Sequence, residues 1–65
     1  MSFDKRLTEA LEFRDMKQIE LAKVVKSTPV TVSRWCNGHR IPKADDVRAI
    51  CKALNCSADW LLELL

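Results

Sequence analysis

Thr28-Pro29-Val30-Thr31-Val32-Ser33-Arg34-Trp35-Cys36-Asn37-Gly38 is the stretch whose reading decides the fold. A threonine before a proline is a helix start. The hydroxyl caps a free amide of the first turn, and proline sits where a missing N–H costs nothing and φ is preset. Asn37-Gly38 closes the segment, because both residue types tolerate the left-handed conformation that ends helices. A helix over residues 29–36 follows. With Val32 at the centre of its inward face, Trp35 and Cys36 fall on the same side. The opposite side shows Val30, Arg34 and Asn37, with Thr31 and Ser33 at its edges and Thr28 and Pro29 at its tip. This outward set holds no acid and is rich in short or forked hydrogen bonders. Arg34 can reach two acceptors on one guanine edge, and an outward Val30 would meet a thymine methyl in a major groove. Taken singly, Val30 reads as an ordinary exposed apolar residue and Arg34 as a solvated cation. Together, on a helix presented in this way, they point to DNA base edges.

Working outward, Leu21, Ala22 and Val25 share a face of a second helix from about Gln18 to Val25, with Ile19 near its edge. Only Lys26 to Thr28 separate it from the next helix, and so short a link forces a steep crossing. Upstream, Phe3, Leu7, Ala10 and Leu11 predict a helix from about Phe3 to Arg14, with Ser2 or Asp4 as its cap. Downstream, Ile41-Pro42 is an extended link. A fourth helix runs from about Ala44 to Leu54 with Val47, Ile50, Cys51 and Leu54 inward. Asp45 and Asp46 in its first turn complement the helix dipole, and Asn55 is its C-terminal cap. Ser57 caps a fifth helix from Ala58 to about Leu64. One glycine and two prolines leave little room for hairpins. The chain reads as all-α: one compact five-helix domain over residues 1–65, with a helix-turn-helix formed by helices 2 and 3.

Sixty-five residues can bury a single modest core. Three cysteines, an odd number, exclude a complete internal disulfide framework and predict reduced thiols in a cytoplasmic protein. No apolar run approaches the ~20 residues of a membrane span, and the N-terminus lacks the order of a signal peptide. Charge is unevenly placed. Lys17, Lys23, Lys26, Arg34, Arg40 and Lys43 stand against Glu20 alone in residues 17–43, whereas the rest of the chain holds five basic and eight acidic residues. A basic centre with acidic flanks reads either as the footprint of a polyanion-binding face or as chance clustering on a solvated surface. Cys36-x-x-His39 with Cys51 and Cys56 supplies zinc-type ligands. Cys51, however, falls on the core face of its helix, where buried free cysteine is common, so neither metal nor cofactor is expected. His39 is the single histidine, and no nucleophile–base pair or glycine-rich phosphate loop is visible, so an enzyme is not expected.

Residues 18–38, Gln18-x-x-Leu21-Ala22 followed by a Thr28 cap and Val32-Ser33-Arg34-x-x-Asn37-Gly38, resemble the Cro/repressor helix-turn-helix family of temperate phages and bacterial regulators. Ile41-Pro42, Lys52-Ala53-Leu54 and Cys56-Ser57-Ala58-Asp59-Trp60-Leu61-Leu62 fit the same pattern, so the likeness covers about residues 3–63. It implies a lambda-repressor-like fold binding a palindromic double-stranded operator as a homodimer, with half-sites about one turn, ~34 Å, apart. By position, Pro29, Val30, Thr31 and Arg34 would face bases. Gln18, Thr28, Ser33, Asn37, His39, Arg40 and Lys43 would hold phosphates. A dimer near a promoter would exclude or contact RNA polymerase. The alternative is an antitoxin-like protein-interaction module that also binds DNA. Two departures stand out: Lys26 occupies a turn position where many members carry glycine, at ~1 kcal/mol if left-handed, and Ser27 replaces a usual apolar residue. Trp60, Leu61, Leu62, Leu64 and Leu65 make an apolar end, with Trp60 and Leu61 expected in the core and some terminal leucines at an interface.

Overall fold

A computed structural model of the chain describes residues 3–62. Five helices follow one another: α1 Phe3–Phe13, α2 Gln18–Val24, α3 Pro29–Cys36, α4 Ala44–Leu54 and α5 Ala58–Leu62. There is no strand among the described residues. The helices wrap one core built from the faces the periodicity marked: Phe3, Leu7, Ala10 and Leu11 of α1, Leu21 and Ala22 of α2, Val32 and Trp35 of α3, Val47, Ile50 and Leu54 of α4, and Leu61 of α5. Val25 is also buried, although α2 ends one residue before it. Cys51 is only partly buried and packs against this core, as do Trp60 and Leu62. Leu61 is in the core as expected. Trp60 lies at its edge with the Arg6 guanidinium 4.8 Å over its ring. Ser2, Leu64 and Leu65 lie outside the described residues. Asp4 does not cap α1; it is already inside the first turn.

The first four helices end in one way. A residue with positive φ follows the last turn, and the next N–H reaches back to a carbonyl five residues earlier, closing the Schellman arrangement. Asp15 (φ 53°) is followed by Met16 N–H to Leu11 O, 2.9 Å, and Lys26 (φ 58°) by Ser27 N–H to Ala22 O, 2.8 Å. Gly38 (φ 76°) is followed by His39 N–H to Arg34 O, 2.9 Å, and Asn55 (φ 53°) by Cys56 N–H to Cys51 O, 3.1 Å. The chain therefore turns four times with one glycine. At the opposite ends, Thr28 Oγ1 accepts from Thr31 N–H at 3.2 Å and Ser57 Oγ accepts from Trp60 N–H at 3.1 Å, both as the sequence indicates. α2 and α4 start differently: Glu20 accepts the Lys17 N–H at 2.8 Å and Asp46 the Lys43 N–H at 3.2 Å. A carboxylate at the third helical position reaching back is one half of a capping box.

Arg14 joins the ends of α1 and α4. Its Nε–H donates to Leu54 O at 2.9 Å and its Nη2 to Asn55 O at 3.5 Å, placing a cation at the carbonyl end of α4. Charge-assisted bonds to terminal carbonyls satisfy groups that the helix itself cannot. Because the guanidinium is largely in water, we expect Arg14→Ala to cost about 1 kcal/mol, read as a lower urea midpoint with an unchanged slope.

Candidate nucleic-acid interface

α3 presents its two faces as the sequence predicts. Val32 and Trp35 are sealed inside, Trp35 at 1% exposure, while Val30 is 61% exposed. Arg34, Asn37, Pro29 and Thr28 are exposed and Thr31 and Ser33 are half-buried, which is the edge position assigned to them. The helix stays in this orientation because α1 and α2 both pack on its inner side.

Two pairs of side chains on α3 are wired to each other. Thr28 Oγ1 donates to Thr31 Oγ1 at 2.9 Å while accepting from the Thr31 amide. The Thr28 hydroxyl is thereby committed, and the proton of Thr31 is left to donate elsewhere. One turn on, Asn37 Nδ2 donates to Ser33 O at 2.9 Å and to Ser33 Oγ at 3.2 Å. Both amide protons of Asn37 are used, and the hydroxyl proton of Ser33 remains available. Sequence reasoning placed all four residues on this surface but could not assign which would orient and which would donate.

The remaining candidates lie around this helix. Gln18 is the first residue of α2, and His39, Arg40 and Lys43 follow α3 in the connection to α4; all four are exposed. None of them is hydrogen-bonded through its side chain to the α3 set among the described residues. Lys43 is the N-cap residue of α4, so its backbone is fixed by Asp46 while its side chain is not engaged. Pro42 is buried and holds the connection against the body of the protein, with Ile41 exposed beside it. Among the described residues, no carboxylate comes within ion-pair distance of Lys26, Arg34, Arg40 or Lys43. These four cations therefore keep their charge open to an anion from outside.

The cysteines make a poor metal centre. No three or more of the histidine, cysteine and carboxylate side chains described come together in a way that could hold an ion. Burial, followed by the neighbouring Cys51 thiol, pushes the Cys56 thiol up to about 11, against a pull downward from the Arg14 guanidinium. Burial also raises Cys36, against a hydrogen bond from Thr8 that lowers it. A thiol held protonated is not the form that ligates metal or attacks an electrophile.

Comparison with known proteins agrees with this geometry. The chain is 31% identical over 64 residues to the 26 kDa repressor protein of Escherichia phage HK022, covering 92% of this chain and 27% of that protein. It is 40% identical over 45 residues to the HTH-type transcriptional regulator DicA of Escherichia coli, covering 69% of this chain and 33% of that one. The chain thus spans about a quarter to a third of the length of these curated relatives. Its fold superposes on the P22 c2 repressor solved in complex with synthetic operator, with a TM-score of 0.88 and 28% identity, over 94% of this chain and 92% of the other. These relatives are repressors or regulators by name, and none is an enzyme. The family model described as helix-turn-helix matches residues 7–61, which span α2, its turn and the outward-facing α3, and the chain belongs to that family.

Proposed function

We propose that the chain is the operator-binding domain of a transcriptional repressor of the phage type, acting in the cytoplasm as a homodimer on a two-fold symmetric DNA site. The observation that carries this reading is the outward face of α3: an exposed valine, a hydroxyl with a free proton and an arginine without an ion-pair partner among the described residues, in a segment without acids. Pro29, Val30, Thr31 and Arg34 face base edges in the major groove. Gln18, Ser33, His39, Arg40 and Lys43 hold the phosphates on either side, fixing register without reading sequence. Thr28 and Asn37 sit on the same phosphate rim, where in the free protein they orient Thr31 and Ser33. A dimer seated at a promoter would exclude or contact RNA polymerase. The P22 c2 relative's complex with its operator supports a double-stranded DNA partner.

Selection of bound duplexes from a random pool tests the proposal. A consensus with two-fold symmetry and half-site centres about one helical turn apart is the expected result; enrichment of no sequence refutes it. Lys43→Ala separates affinity from specificity. Loss of one phosphate contact should weaken binding to all sequences alike and reduce the slope of log affinity against log salt by about 1, measured by titration at several salt concentrations.

A further inference from the structure

Lys26 is the one residue of the helix-turn-helix whose backbone is held against its preference. It has φ 58°, and its own N–H donates to Lys23 O at 3.3 Å as α2 ends. Asp15 and Asn55 share that conformation elsewhere in the chain, but aspartate and asparagine are residue types that visit the left-handed region readily. Lysine has no such relief, and glycine would take the position without strain. Among the described residues no side-chain bond or ion pair offsets the choice. The side chain is exposed, and no carboxylate approaches it among the described residues. Attraction to the carbonyl end of α2 is weak and screened at an exposed site. Strain that persists without a local partner is characteristic of functional positions.

The position supplies the partner. Lys26 stands two residues before Thr28, the N-cap of α3, a separation of at most ~7 Å of extended chain. A four-carbon stem can therefore carry its ammonium beside the tip of the helix, next to Pro29 and Val30. We propose that Lys26 grips a DNA backbone phosphate flanking the bases read by α3, trading folding stability for affinity. The inference rests on the DNA-binding reading above, and it adds a contact from the turn itself to those assigned to α2, α3 and the loop after α3.

Two variants test it. Lys26→Gly removes both the charge and the strain; Lys26→Met keeps the strain and most of the stem but removes the charge. Each is titrated against the selected operator and against unrelated duplex at several salt concentrations, with thermal unfolding in parallel. Both should bind every sequence several-fold more weakly at low salt, with a salt slope smaller by about 1. Lys26→Gly should also unfold at a higher temperature than the parent, so its weaker binding could not be blamed on unfolding. Unchanged affinity and slope in both variants, with the parent binding normally, overturns this inference alone. Failure of the parent to bind any duplex overturns the inference together with the proposed function.

Discussion

Trp35→Ala is expected to leave the domain largely unfolded at room temperature. Trp35 is the largest of the fully buried side chains and sits on the inner face of α3, where that helix meets α1 and α2. Truncating a buried tryptophan costs about 3–5 kcal/mol, the lost transfer term plus the cavity left behind. A domain of 65 residues holds only roughly 3–10 kcal/mol in total. The helix that carries the proposed DNA-facing residues would lose its anchor along with the core. Circular dichroism and urea titration would show it, with a drop of at least about 12 °C in the thermal midpoint. Trp35→Phe is the control. It keeps a ring in the site and deletes a buried indole N–H that has no acceptor among the described residues, so it should cost less than half as much. A Trp35→Ala protein as stable as the parent would contradict the core described here.

Arg34→Ala should do the opposite: leave stability within about 0.5 kcal/mol and damage recognition. The guanidinium is exposed on the outer face and has no carboxylate partner among the described residues. A bidentate contact to guanine is worth about 1–3 kcal/mol of discrimination. The loss should therefore be roughly 5- to 150-fold on the best operator and much smaller on operators already altered at the contacted base pair. Arg34→Lys should not restore discrimination, because an ammonium lacks the fork that grips two acceptors. Fluorescence anisotropy against the operator and its single-base variants, at one fixed salt concentration, reads this directly. Equal weakening on all variants would move Arg34 from the bases to the phosphates.

The fold was largely legible because local signals agreed with one another. Thr28-Pro29 and Asn37-Gly38 bracketed α3 to the residue, and a period of about 3.6 marked the buried faces of α1, α3 and α4. The ends were less legible. α1 stops at Phe13 rather than Arg14 and α2 at Val24 rather than Val25, because Asp15 and Lys26 turn left-handed without being glycine. Nothing in a single lysine announces that. The starts of α2 and α4 were missed as caps, although Glu20 and Asp46 each stand three residues after the group they serve. Arg14 over the end of α4 could not be foreseen, since 40 residues separate the partners and only tertiary packing brings them together. On the interface, residue types were enough to place Thr31, Ser33 and Asn37 on the surface. Which protons they have left to give depends on rotamers, which sequence does not encode one residue at a time.

If α3 reads bases as proposed, the bond from Thr28 to Thr31 bears on the code it would follow. Arg34 can only donate, the Thr31 hydroxyl has a proton to give beside one remaining lone pair, and Val30 adds a methyl surface. Keto groups and ring nitrogens are its natural complements: O6 and N7 of guanine, and O4 of thymine with the adjoining methyl. The exocyclic amines of adenine and cytosine would meet no acceptor on Arg34. An operator half-site for such a surface should be richest in guanine and thymine on the strand it touches.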